Sequence, residues 1–224
     1  MTSLALLQLV SPALPVGAFS YSEGLEWLVQ NGQLHDAASV SAWLEAELCR
    51  GQMRMEAAAL IPLRLALSRW SASDDADALS DLQDLDGWLL ALREAPELRA
   101  QQRQMGQSLL QLLVDLGHPL PAPAVLLHWP AAWAWASHAW QVSELDMLNG
   151  YLYSWVANQL SAAVRLVPLG PTKAQLLLQS LLPLVSAQAK ALIDQDPKSL
   201  WSGGVGSSMA QLSHDELYSR LFRT

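Results

Sequence analysis

ELDMLNGYLYSWVANQLSAAVRLV, residues 144–167, decides the fold class. Leu148, Leu152, Trp155, Val156, Gln159, Leu160, Ala163, Val164 and Val167 recur at intervals of three and four. That spacing places them on one face of a 3.6-residue helix and fits no alternating strand. Ser154, Ala157, Ser161 and Ala162 keep the other side small, so the helix is expected to be packed all round, at the centre of a bundle. Ser143 and Asp146 supply its N-terminal cap.

Working outward, the same punctuation recurs. Residues 2–10 read as a short helix ended by Ser11-Pro12. Ser20 and Glu23 have capping-box spacing, which predicts a helix from about 20 to near Gly32. Asp36 or Ser39 caps the next, with Val40, Trp43, Leu44, Glu47 and Leu48 on one face and Gly51 at its end. Residues 52–70 continue helical, with Pro62 as a kink or boundary. The aspartates of SASDDADAL (71–79) suit a helix start, and Leu79, Leu82, Leu85, Leu89 and Leu92 form a stripe. Pro96 opens a helix over 97–116 that Gly117 ends. HPLPAPAV (118–125) is a linker, WPAAWAWASHAW (129–140) a helix, and Pro171 starts another over 171–194. WSGGVGSS (201–208) reads as flexible. The expected layout is one all-α domain of eight to ten helices, with a flexible hinge over 199–212. A docking tail, 213–224, follows, with Ser213 and Glu216 capping a last short helix. Alternating β-branched runs are missing from the sequence.

Composition narrows the function. Of 224 residues, 51% are hydrophobic and 15% charged, which describes a folded chain. The net charge of −8 excludes an extended nucleic-acid footprint, which needs a basic face. Cys49 is the single cysteine, so no intrachain disulfide or CxxC pair exists. MTSLALLQLV lacks a basic n-region and no run resembles a membrane span, so a cytoplasmic protein is expected. Ten tryptophans against two phenylalanines serve as core filling or as interface anchors.

No catalytic constellation emerges. GAFSYSEG does not match the G-x-S-x-G elbow, and GGVGSS lacks the Walker lysine. His35, His118, His128, His138 and His214 show no metal-binding spacing, so no metal ligand is assigned. Glu23 and Glu26 lie one turn apart, with Glu23 read as a cap; Glu45 and Glu47 cannot face each other on one helix. The cluster Trp129, Trp133, Trp135 and Trp140 motivates one alternative: an all-α enzyme or carrier with a Trp-lined pocket for a small apolar ligand.

Three segments carry a resemblance. LLQLVSPALPVGAFSYSEGLEWLV (6–29), YLYSWVANQLSAAVRLVPLG (151–170) and HDELYSRLFRT (214–224) together resemble UreF-type urease accessory proteins. The chain departs from that pattern at Pro171, where a glutamine is usual, at Asp215 in place of glutamate, and at Ser213 in place of a common arginine. The resemblance implies an all-α homodimer without chemistry of its own. It further implies that the chain binds a UreD/UreH-type accessory protein, recruits the UreG GTPase through that complex, and regulates nickel delivery to apo-urease. No cofactor is assigned to the chain itself. The candidate partner-binding residues are Pro15, Gly17, Phe19, Tyr21, Ser22, Gly24 and Glu26 at one end. Arg165 and Gln175 follow in the middle, and His214, Tyr218, Arg220, Phe222 and Arg223 stand at the other end. Prolines stiffen the first segment, its aromatics suit hot spots, and arginine forks suit carboxylates.

Overall fold

Local capping sets most of the helices in the computed structural model, which describes residues 4–73 and 75–224. Helix α1 spans Leu4–Leu9; the expected start at Thr2 lies outside the described residues. A 3-10 turn at Ala18–Ser20 follows, then α2, Leu25–Gln30. Helix α3, Ala37–Arg50, opens with a reciprocal box in which Ser39 N–H donates to Asp36 Oδ1 at 2.8 Å and Asp36 N–H to Ser39 Oγ at 3.1 Å. Helix α4 is Met53–Ser73 and α5 is Ala76–Ala91, capped by Asp75. Helix α6, Pro96–Asp115, ends where Gly117 turns left-handed at φ +85°. Then come α7, Trp129–Ala139, and α8, Glu144–Leu166, capped by Ser143 Oγ. Helices α9, Pro171–Leu192, and α10, Val205–Ser213, complete the set. No strand occurs among the described residues.

Helix α4 is the hub. It packs against α3, α5, α7, α8 and α9 and buries eleven side chains, Leu60, Leu63, Leu67 and Trp70 among them. Pro62 therefore neither ends nor bounds the helix. Burial on several sides outweighs the one backbone bond that a proline removes. Helix α8 buries the face read from its periodicity, but it is not enclosed all round. Its small residues, Ser154, Ala157 and Ser161, border an open groove.

Further expectations are corrected. The first helix of the glycine-rich opening begins at Leu25, not near 20. Glu23 is no cap: it stands at φ +53° with its carboxylate turned inward. At the other end Ser213 closes α10, and only a 3-10 turn, His214–Glu216, follows. Of the stretch 201–208, residues 201–204 form a loop held by Gly203 N–H on the Arg50 carbonyl at 2.7 Å, and Val205 already opens α10.

Candidate functional site

Both ends of the chain meet on one face. Ser22 N–H and Ser22 Oγ both donate to the Thr224 carbonyl, at 2.8 and 2.5 Å. Arg223 N–H donates to the Ser20 carbonyl at 2.9 Å. The residues between are clasped by Glu26, in the first turn of α2 and only 3% exposed. Its Oε1 accepts Leu221 N–H at 2.7 Å; its Oε2 accepts Phe222 N–H at 3.0 Å and lies 3.2 Å from His214 Nε2. The last contact places the imidazole proton on Nε2, because a carboxylate only accepts. A buried carboxylate is tolerated when donors fill its oxygens, and the tail is what fills them here.

Glu23 makes a second clasp. Gln101 Nε2 donates to its Oε1 at 2.7 Å and Trp155 Nε1 to its Oε2 at 3.0 Å; Gln101 Oε1 in turn accepts Thr224 Oγ1 at 2.9 Å. Gly24 lets α10 close over this arrangement. It stands at φ +87°, and a Cβ there would lie 2.9 Å from Gln211 N and 3.1 Å from Ala210 Cβ. Arg165 joins the middle of the chain to both ends. Its guanidinium sits 4.4 Å above the Phe222 ring, and its NH1 donates to the Phe19 carbonyl at 3.2 Å. Arg220 bridges Asp215 at 3.0 Å and Glu97 at 3.3 Å. Burial, and after it the adjoining Asp215, raises the Glu97 pKa.

The candidate residues thus divide by exposure. Tyr21, Ser22, Gly24, Glu26, His214 and Phe222 are buried and hold the two ends together. Glu26, expected from the sequence among the partner-binding residues, has its acceptors engaged within the chain. Pro15, Phe19, Arg165, Gln175, Tyr218, Arg220 and Arg223 are exposed, and Gly17, at φ +74°, is half-buried. One groove unites Gln175 with Phe19 and Arg165. That groove, about 530 Å³, runs between residues 9–19, the small side of α8 and the start of α9.

Two apolar surfaces flank the face. Helix α1 exposes Leu4 and Leu7. Helix α10 exposes Val205, Met209 and Leu212, spaced to share one side of a helix, with Trp201 before them at 72% exposure. The tryptophan cluster of α7 does not form a pocket of its own. Trp133 is buried edge-on against Trp129 and Tyr151 and donates to the Met147 carbonyl at 3.2 Å. Trp135 donates to the His118 carbonyl at 3.0 Å. Only Trp129 and Trp133 reach the groove wall.

Behind the face lies a buried polar group that sequence reasoning missed. Arg93 pairs with Glu56, Tyr151 Oη donates to Glu56 Oε2 at 2.6 Å, and Arg93 NH1 donates to Gln52 Oε1 at 3.1 Å. Burial, then Glu56, holds the Tyr151 phenol well above its usual pKa. The available signal was a charge at a core-facing helical position: Glu47 shares a face with Leu44 and Leu48, and Glu56 lies among Met53, Ala57 and Leu60. Among the described residues no group of three or more His, Cys, Asp or Glu is placed to hold a metal, and no helix is long and apolar enough to cross a membrane.

Comparison with known proteins gives a consistent result. The UreF family profile matches residues 34–182. The chain is 40% identical to a urease accessory protein UreF of Prochlorococcus marinus, over 96% of this chain and 95% of that protein. It is 42% identical to the urease accessory protein UreF of Microcystis aeruginosa, over 99% and 97%. With that of a Synechocystis species it shares 38% identity, over 99% and 97%.

Proposed function

The chain belongs to the UreF family of urease accessory proteins, and from that premise we propose that it serves urease maturation by being gripped, not by turning over a substrate. It assembles with a UreD/UreH-type protein and the UreG GTPase in the cytoplasm, and it regulates nickel insertion into apo-urease. Nickel is the cargo of that assembly. The observation that carries the reading is the face made from both chain ends, with its buried residues fastened internally and its exposed residues presented outward. A surface already ordered loses less entropy on docking than a free tail does.

Two surfaces take distinct partners in this reading. The stripe Trp201, Val205, Met209 and Leu212, with exposed Tyr218 and Leu221 beyond it, receives the UreD/UreH-type protein. The groove beside Phe19 and α1 receives a second copy of the chain. A knob of exposed leucines and an apolar groove on the same molecule suit an isologous contact, in which each copy supplies both. Each specific interface is expected to bury about 1,600 Å² in total.

Co-expression with the UreD/UreH-type protein and the GTPase, followed by affinity capture on this chain, tests the proposal. Retention of both is expected, with capture of the GTPase depending on the UreD/UreH-type protein. Capture of neither, or full urease activation in cells lacking this chain, would contradict it.

A further inference from the structure

We propose that Glu47 is a proton-operated latch beneath α10: in its acid form it lets α10 and the tail stay seated, and on ionising it loosens them. The latch concerns the chain itself and does not depend on the partners assigned above.

The geometry is specific to this carboxyl. Glu23, Glu26 and Glu56 are all buried and all accept hydrogen bonds. Glu47 is 8% exposed, and among the described residues its carboxyl accepts none. It lies against the backbone of Gly51 and beneath Gly204 at the start of α10, so close that a side chain at Gly51 would overlap it. The void beside it is about 10 Å³, room for about one water. Helix α10 closes that void with Ser207 and Gln211, and the charged Glu23 and Arg93 line it together with Gln52 and Trp155.

The charged groups facing Glu47 are Arg93 and Glu23. Arg93 is already paired with Glu56 and bonded to Gln52, and Glu23 repels. Burial, the largest influence, pushes the Glu47 carboxyl up from an ordinary 4.5 to about 7; Arg93 draws it down and Glu23 adds to the rise. Lifting α10 hydrates the carboxyl and returns it toward its ordinary value. The seated state thus holds the higher pKa. Seating is strongest below about 4.5, weakens as pH rises toward about 7, and is level above that.

Hydrogen exchange of the α10 amides, corrected for intrinsic rates, reads the opening constant directly. Between pH 5.5 and 7 the wild-type constant is expected to rise by roughly fifteenfold in all, then level off. In Glu47→Gln, which keeps the shape without the charge, α10 stays protected and the slope is lost. His214, Glu97 and Asp215 remain in that variant, so its slope isolates Glu47. Wild-type protection independent of pH, or the same slope in both proteins, would overturn the proposal. A carbon-13 titration of glutamate carboxyls in the wild type decides the matter if the variant does not fold. One midpoint near 7 is expected, and every glutamate titrating in the ordinary carboxylate range would overturn the latch.

Discussion

Gly24 and Glu26 stand two residues apart and fix the C-terminal tail by different physics. Gly24 supplies absence: a left-handed backbone and no Cβ where Gln211 and Ala210 press in. Gly17 is also left-handed, but a Cβ there meets nothing within 4 Å. Gly17→Ala is therefore expected to cost only the backbone strain, about 1–2 kcal/mol. Gly24→Ala adds overpacking of roughly 1–3 kcal/mol. Urea unfolding of the two variants measures the difference, and equal costs would mean that α10 does not rest on residue 24. Glu26 supplies charge. Glu26→Ala leaves the buried His214 N–H and two backbone donors without acceptors, a loss on the order of 3–5 kcal/mol. Trypsin cleavage after Arg220 and Arg223 is expected to accelerate in that variant while most of the helix content persists. Unchanged cleavage would show that the clasp does not hold the tail.

At the scale of elements, legibility in the sequence followed the range of the forces. Helices α3, α6, α8 and α9 begin within a residue or so of their expected starts, because Asp36, Pro96, Ser143 and Pro171 act within one turn. Helix α2 starts five residues late because Glu23 answers Gln101 and Trp155, 78 and 132 residues away. No local pattern encodes that. The tail was legible as a special segment through its arginines and aromatics, but its closure on Glu26 spans 195 residues at Leu221. The small side of α8 was legible as small, yet only the packing shows that it walls a groove. Helix α10 yields a prediction of its own. Val205→Glu with Met209→Glu changes only exposed positions, so stability is expected to shift by less than about 0.5 kcal/mol per site, while capture of the UreD/UreH-type protein is lost. Deleting residues 212–224 is a harsher change, since Phe222 and Thr224 are buried. It is expected to lower the melting temperature as well as binding, with α1 to α9 retained by circular dichroism.

In the whole molecule an interior that holds stands apart from a surface that presents. The buried Glu56–Arg93–Tyr151 group lies between α4 and α8 and fixes the frame on which the terminal face sits. The net charge of −8 keeps such a chain soluble and discourages unspecific association, so its apolar patches stand out as places for specific contact. The proposed self-association is tested at this scale. Leu4→Asp with Leu7→Asp is expected to convert a dimer to a monomer at micromolar concentration without loss of helix content, read by analytical ultracentrifugation. A monomeric wild type would remove the groove from the account.

The central claim is that this chain works as a held surface assembled from its two ends. Size-exclusion chromatography with light scattering, on the chain co-expressed with a UreD/UreH-type protein, tests it most directly. The account predicts one species whose mass includes both proteins for the wild type, and separate species when Val205 and Met209 of α10 carry glutamate. Separate elution of the wild-type chain, or an undiminished complex in the α10 variant, would contradict it.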